Sequence, residues 1–246
     1  MTPAVPSPVS FKRRLKRALK PFIPPIATTL TRRLITGRYH GLNKLDKKLE
    51  AYLNIDNGFF VELGANDGLS QSNSYYFEKY RGWRGVLVEP TPHNFLKCRD
   101  NRSPAAAVFC NACVSFDYPH EYVKIAYANL MSTPVGLESD IQDPLAHAAR
   151  KYDGMFTFGA VATPLQTLLD TANAPKTIDL LSLDVEGAEI EVLKGIDHTR
   201  TRFRYLCIES RNSEKLTQYL AEHGYSFIAL LSHHDYLFAD STTEKP

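Results

Sequence analysis

The chain has 246 residues, of which 43% are hydrophobic and 23% charged, ordinary globular proportions that exclude a mainly disordered or fibrous protein. No apolar stretch approaches the roughly 18 to 20 residues a membrane span requires, and Pro21, Pro24 and Pro25 break the first apolar run, against a secretory leader. The net charge of +2 conceals a split: residues 1–48 carry twelve Lys or Arg and one acid, a balance of +11, and the remainder stands at −9.

In chain order, the opening MTPAVPSPVS is Pro-rich and has little to bury. Phe11, Leu15, Leu19, Phe22 and Ile23 then recur at helical spacing among Lys12, Arg13, Arg14, Lys16, Arg17 and Lys20, which predicts a basic amphipathic helix. A second basic helical stretch is expected from about Ile26 to Leu34. Three readings fit this extension (residues 1–48): docking on an anionic membrane surface through residues 11–38, a solvated arm packing its apolar stripe on the domain, or a mitochondrial-type targeting segment.

Residues 49–246 read as one folded domain in which short apolar runs alternate with helical periodicity. Phe59–Leu63 is a buried strand running into Gly64, followed by a helix over about 70–80 with Ser70 available to cap it. Gly85–Glu89 is a second strand stopped by Pro90, followed by a helix over about 92–101 and a third strand at Ala105–Cys110. Residues 115–160 lack a clean period and read as an insertion over the open edge of the site. A fourth strand is expected at Asp179–Asp184, a helix at Ala188–Gly195, a fifth strand at Tyr205–Glu209 and a helix at about 213–223. Tyr225–Leu231 and Tyr236–Ala239 complete the domain as an antiparallel pair. This alternation predicts an α/β, doubly wound, mostly parallel sheet.

Ligands of such sheets bind beyond the carboxyl ends of the strands. Four of the five expected parallel strands end in an acid or run into one, at Glu62, Glu89, Asp184 with Glu186, and Glu209. Gly64 and Gly68 permit a tight first turn with close backbone approach to a ligand. A GxGxxG fingerprint is absent, and Glu62 and Asp67 bring negative charge where a pyrophosphate would sit, which favours a cationic or zwitterionic ligand. Glu89 stands 25 residues past Gly64, close to the offset at which an acid meets a ribose diol. Glycine turn and strand-end acid together read as a nucleoside site.

The runs FFVELGANDG (59–68), GVLVEP (85–90), DLLSLDVEGAEIEVLKG (179–195) and YLCIES (205–210) resemble the FkbM family of S-adenosylmethionine-dependent methyltransferases. The resemblance spans about residues 59–231 and implies a class I, Rossmann-like methyltransferase fold. It places Gly64, Ala65, Asn66, Asp67 and Gly68 along the methionine part of the cofactor with Glu62 beneath, Glu89 on the ribose hydroxyls, and Asn111 and Ala112 by the adenine. Asp184 and Glu186 then face the reacting centre. The family points to O-methylation of a hydroxyl on a sugar, glycan or related small-molecule acceptor. A hydroxyl must lose its proton as it attacks, and Asp184, Glu186 and Glu209 are the acids available as bases, Asp184 first. The same carboxylates offer magnesium hard oxygen ligands.

Several residues carry plainer readings. Glu189 is a helix N-terminal acid, and His233-His234-Asp235 a turn between two strands. Cys110 and Cys113 form a lone CxxC without a partner pair at zinc spacing; they read as small buried hydrophobes in a reduced, cytoplasmic setting, at most peripheral at a membrane. His147, His120 and the tyrosines of 118–127 are candidates for the acceptor pocket. Two rival functions stand beside the methyltransferase: a nucleotide-dependent oxidoreductase, opposed by the missing GxGxxG, and a non-catalytic nucleoside-binding or membrane-surface scaffold. Nucleic acid is not the expected partner, because residues 49–246 are acidic and no aromatic platform accompanies the basic run. Deleting residues 1–38 is expected to abolish co-sedimentation with anionic vesicles at low salt and to spare cofactor binding; an intact chain that ignores such vesicles removes the membrane reading.

Overall fold

The computed structural model describes residues 37–242. The chain divides into Met1–Arg38 and Tyr39–Pro246, and the following concerns the second unit. The basic helices expected over 11–23 and 26–34 lie outside the described residues. In chain order the unit runs α1 (Leu45–Glu50), β1 (Phe59–Leu63), α2 (Tyr75–Arg81), β2 (Arg84–Val88), α3 (Pro92–Asn101), β3 (Ala107–Phe109) and β4 (Asn111–Val114). It continues with β5 (Tyr122–Tyr127), β6 (Thr133–Val135), α4 (Pro144–Lys151), β7 (Phe156–Pro164), α5 (Leu165–Thr171) and β8 (Thr177–Leu183). It closes with α6 (Glu189–Leu193), β9 (Arg202–Glu209), α7 (Ser213–Glu222), β10 (Tyr225–Leu230) and β11 (Asp235–Asp240). Residues 39–48 share the charge of the extension yet belong here, since α1 buries Leu45 and Leu49.

Seven strands form one sheet in the order β10-β11-β9-β8-β1-β2-β3. All neighbours are parallel except β11, which runs antiparallel to both β9 and β10. The chain steps outward from β1 to β3 and later returns to β8 on the other side of β1, so the switch in strand order lies between β1 and β8. This is the doubly wound sheet expected from the strand and helix alternation.

Alternate side chains of the parallel strands serve opposite faces, which is why their central positions are apolar on both. Val61, Leu63, Val86, Leu181, Leu183, Leu206 and Ile208 pack with Leu165, Leu168, Val192, Leu193, Leu216 and Leu220 of α5, α6 and α7. On the other face Phe60, Leu87, Leu180, Cys207 and Leu237 meet Leu49, Tyr76, Phe77 and Cys98. Each such fully buried aliphatic side chain contributes about 1.5–3 kcal/mol. Local signals set the helix ends: Gly82, at φ 67°, stops α2, Pro92 opens α3, and Asn212 Oδ1 accepts from Lys215 N at 3.1 Å to cap α7.

The structure departs from the sequence expectations at three places. The third strand stops at Phe109, and Asn111 begins β4 in a separate four-stranded sheet of order β4-β7-β5-β6. The 115–160 insertion supplies β5, β6, α4 and the start of β7 to that sheet. Its strands are short and keep Tyr122, Lys124 and Phe156 exposed, which blurs their apolar period. Finally, Ser70 caps no helix. It donates through Oγ to Asp67, α2 starts only at Tyr75, and Ser72 Oγ accepts from Tyr75 N at 3.1 Å.

Beyond α3, Arg102 enters a fully buried position. Its guanidinium donates to Glu78 at 3.0 Å, Ser74 Oγ at 2.8 Å, Ser72 Oγ and the Gly68 carbonyl at 3.2 Å, and Glu62 at 3.4 Å. One cation thus compensates two buried carboxylates and fixes the segment between β1 and α2. Arg102→Met is expected to lower unfolding stability by about 3–5 kcal/mol, because Glu62 and Glu78 lose their counter-charge; urea denaturation midpoints check this.

Candidate active site

The turn after β1 is shaped by a backbone collision that only glycine avoids. Gly64 holds φ +74°, and a Cβ there would lie 1.9 Å from the Asp184 carbonyl oxygen. Gly64 N and Ala65 N both donate to the Val88 carbonyl at 3.1 Å, tying the turn to the end of β2. Gly68, also at φ +74°, closes it through Gly68 N donating to the Ala65 carbonyl at 2.8 Å.

Glu89 follows β2 and is 5% exposed. Asn66 N donates to Oε2 and Thr91 N to Oε1, each at 2.8 Å. Burial outweighs these donors and raises its pKa above the ordinary carboxylate value. The Thr91 hydroxyl also bonds to this carboxylate, which still keeps lone-pair capacity for a ligand hydroxyl.

A cleft with about 970 Å3 of non-atom space, its open mouth included, lies over these strand ends. It brings together Glu62, Gly64, Ala65, Asn66 and Glu89 with Asn111, Ala112, Asp184 and Glu186. Asp67, Gly68 and Glu209 do not line it. The Asp67 carboxylate is occupied within its own loop, accepting from Leu69 N at 3.0 Å, Ser70 N at 2.6 Å and Ser70 Oγ at 2.8 Å, so it orders the turn. Glu62 lies at the cleft floor and accepts from Ser72 Oγ and Asn73 N at 2.8 Å and from Ser74 Oγ. Asn111 lies at the start of β4, where its amide donates to Thr163 Oγ1 at 2.9 Å. The insertion covers the cleft with Ile125, Asn129, Leu130, Ser132, Pro134 and Leu137.

Asp184 leaves β8 with its side chain exposed to the cleft and next to Glu209 at the end of β9. Protein packed around its base, followed by the charges of Glu209, Glu186 and Glu189, raises Asp184 above the usual carboxylate range, and the solvent at its cleft side limits that rise. Burial and the Glu186 charge raise Glu209. Glu186 adopts φ 56° and pairs with Arg211 Nη2 at 3.0 Å. Glu189 accepts from Val185 N at 3.2 Å and Gly187 N at 3.0 Å; burial pushes it up to about 7, and it serves as the closing acid of this turn.

Sequence reasoning did not single out Thr91, Asn94 or Arg211. The first two stand just beyond Glu89 and could have been reached by following the second strand's exit a few residues further. Arg211 carried no signal of its own. His147 on α4 stands within electrostatic range of Arg211 and Glu186, with Nε2 buried and unpaired. His233 and His234 occupy the β10–β11 turn, as expected. All four cysteines are free; Cys113 is buried, which pushes its thiol upward, and Cys110 is half-buried. Among the described residues no three His, Cys, Asp or Glu side chains are grouped as a metal site requires. Among the same residues no helix is long and apolar enough to cross a membrane.

Residues 62–227 match the family model described as the methyltransferase FkbM domain, about two thirds of the chain. The chain belongs to the FkbM methyltransferase family. A comparison with curated protein sequences gives no match. Among solved structures, a precorrin-6y C5,15-methyltransferase from Geobacter metallireducens aligns with TM-score 0.40 and 12% identity over 78% of this chain and 85% of that one. A SAM dependent methyltransferase from Aquifex aeolicus gives 0.40 and 10% over 79% and 88%. The N-terminal domain of human METTL16 in complex with SAH gives 0.41 and 13% over 81% and 68%. These scores lie below 0.5, so the assignment rests on the family match, and the strand order agrees with it.

S-adenosylmethionine, the cofactor of the FkbM family, fits the residues present. The cleft offers acids and backbone where a nucleotide's phosphates would demand cations, and Glu89 keeps acceptor capacity toward a ligand hydroxyl. Glu89→Ala is expected to weaken S-adenosylhomocysteine binding by at least about tenfold in calorimetry, and to lower the melting temperature because Asn66 N and Thr91 N lose their acceptor. Unchanged affinity removes the ribose role.

Proposed function

We propose that this FkbM protein methylates a hydroxyl oxygen of a sugar, glycan or related metabolite, with Asp184 as the general base. The supporting observation is the hydrogen-bonded Asp184–Glu209 pair beside the cofactor cleft. Two neighbouring carboxylates resist joint ionisation, so one of them acquires a raised pKa. A base is effective when its pKa approaches the working pH, and the crowding by Glu186 and Glu189 moves Asp184 in that direction.

When bound, S-adenosylmethionine supplies a methyl group on a positively charged sulfur. Asp184 accepts the acceptor's hydroxyl proton as that oxygen attacks, and the proton stays on the carboxyl group it shares with Glu209. Glu209 holds Asp184 in orientation through their hydrogen bond. Glu186, clamped by Arg211, keeps the turn after β8 in place. Ile125, Leu130 and Pro134 narrow the cleft from the insertion side and exclude water, and the positions held by the turn and strand ends supply the in-line geometry on which such a displacement depends.

The remaining reading, a non-catalytic scaffold, has no observation in its favour here, because nothing about a scaffold requires a shared-proton pair next to an open nucleoside cleft. Labelled methyl transfer to a panel of mono- and oligosaccharides tests the proposal. Asp184→Asn is expected to lower turnover by at least about 100-fold with little change in cofactor affinity. The base must be ionised, so activity rises as pH passes through the raised Asp184 value. Glu209→Gln removes a neighbouring negative charge, lowers the Asp184 pKa, and moves this acidic limb to lower pH. An unshifted limb, or a fully active Asp184→Asn enzyme, ends the assignment.

A further inference from the structure

A second, shallow hollow lies on the surface at the corner between α1 and the turn joining β10 to β11, with about 750 Å3 of non-atom space including the solvent over its wide mouth. Asn43, Lys44, Lys48, Ser232 and His233 line it, and no carboxylate does. Lys48 Nζ donates to the Leu231 carbonyl at 2.5 Å, which fixes the turn against α1 and leaves the ammonium two further donors. Lys44 is exposed and has no ion pair among the described residues. Asn43 and Lys44 both hold left-handed backbone, with φ 53° and 58°, a conformation that costs residues bearing a Cβ and persists only where the surroundings enforce it. Lys44 N donating to the Gly41 carbonyl at 3.0 Å is part of that enforcement. Asp235, the acid next to the turn, accepts from Ser232 Oγ, so it does not face the lysines unpartnered.

The place of this hollow along the sheet edge gives it meaning. From one side to the other the strand ends carry Glu89, Gly64, Asp184, Glu209 and then the β10–β11 turn. Asp235 lies opposite Glu209, and Ser210 N donates to the His234 carbonyl at 2.9 Å. The basic hollow therefore flanks the Asp184–Glu209 pair on the side away from the cofactor cleft. Two strand spacings separate β8 from β11, roughly 10 Å.

We propose that this hollow is an acceptor subsite for a phosphate group, held by Lys44, Lys48 and His233 while the acceptor's hydroxyl reaches Asp184. The separation matches one or two sugar rings between hydroxyl and phosphate. Several point-charge and N–H donors around one hollow suit a group with several anionic oxygens. The acids around Asp184 repel an anionic acceptor unless its charge is received elsewhere, and this corner receives it. The substrate class is then a phosphorylated sugar, soluble or lipid-borne. The subsite's place in turnover rests on the hydroxyl-methylation reading, but phosphate binding is measured without it.

Calorimetry on the full chain saturated with S-adenosylhomocysteine provides the test, with inorganic phosphate, a hexose 1-phosphate and the free hexose as probes. Sedimentation with phosphatidate and with phosphatidylcholine vesicles forms the second arm, read as the difference between the parent and the double variant, since the basic extension expected to bind anionic vesicles is the same in both. The hexose 1-phosphate is expected to bind and the free hexose not, and the double substitution Lys44→Gln, His233→Gln is expected to weaken binding roughly tenfold at unchanged S-adenosylhomocysteine affinity and melting temperature. Lys44→Arg, which keeps the charge, should retain most of the affinity and guards against a merely structural loss. Dependence on Lys44 and His233 for the soluble probe assigns a soluble phosphate; the same dependence confined to phosphatidate vesicles assigns a lipid-borne one. Equal affinity of parent and double variant for every probe, or binding of none, overturns the subsite. Label transfer to a neutral acceptor would survive that result, so the hydroxyl reading and the phosphate subsite fail separately.

Discussion

The contact between the exits of β1 and β8 governs the rest of the site. With a Cβ at position 64 the Asp184 carbonyl would have to move by more than an ångström, because the two would meet at 1.9 Å. Glycine lets the adjacent parallel strands end side by side at the point where strand order reverses, and Asp184 N donating to the Leu63 carbonyl at 3.3 Å holds them there. The cofactor turn and the acid that would serve as base are therefore built on the same pair of strands. Glu89, which fastens the turn through Asn66 N, adds the third strand of the set. Positioning comes from strands β1, β2 and β8, each hydrogen-bonded to neighbours on both sides, and the loops above them need only cover.

Crowding acids has a thermodynamic consequence with a definite sign. Asp184, Glu209, Glu89 and Glu189 all have pKa values raised above the ordinary range, first of all by burial. Between the ordinary carboxylate values and the raised ones, the folded chain keeps protons that the unfolded chain has released. Stability from these groups is present at low pH and lost as pH climbs through that interval, which for Glu189 ends at about 7. At neutral pH the ligand-free site is thus electrostatically strained. A cation seated among these carboxylates relieves part of that strain, so a sulfonium ligand stabilises the fold as well as occupying it. Arg211 and Arg102 are the protein's own partial answers, one at the rim on Glu186 and one in the core on Glu62 and Glu78.

The parallel half of the fold was legible because its signal is local. Phe59–Leu63 is buried throughout and β8 is buried from Leu180 to Leu183, so apolar residues dominate on both faces, and a glycine or an acid follows each strand. Glu62, Glu89, Asp184 and Glu186 converge on one edge for the same reason, since strand ends in a parallel sheet must share an edge. The second sheet was not legible. β4 and β7 pair across nearly fifty residues, and β5 alternates exposed and buried positions over only six, so no window of sequence carries their pattern. The family resemblance places Asp67 along the cofactor; its carboxylate also accepts from backbone N–H groups two and three residues on, an Asx turn that sequence cannot tell from a ligand contact. Arg102 was invisible since its two carboxylate partners lie 24 and 40 residues away.

The charge split in the sequence acquires a spatial form in the folded unit. Of the twelve basic residues before position 49, Lys44, Lys47 and Lys48 fall within α1 and its approach, and two of them line the hollow beside the β10–β11 turn. The same edge of the sheet is acidic over β1, β2, β8 and β9. A sheet edge that is negative around one end of a ligand and positive beyond the other imposes an orientation on any zwitterionic or singly phosphorylated molecule that lies along it. On the proposed reading, a sulfonium nucleoside and a phosphorylated acceptor would be drawn to opposite ends, with the carboxylates of Asp184 and Glu209 between them. Field and geometry would then favour the same arrangement, and the acids that raise one another's pKa would also sort the two ligands.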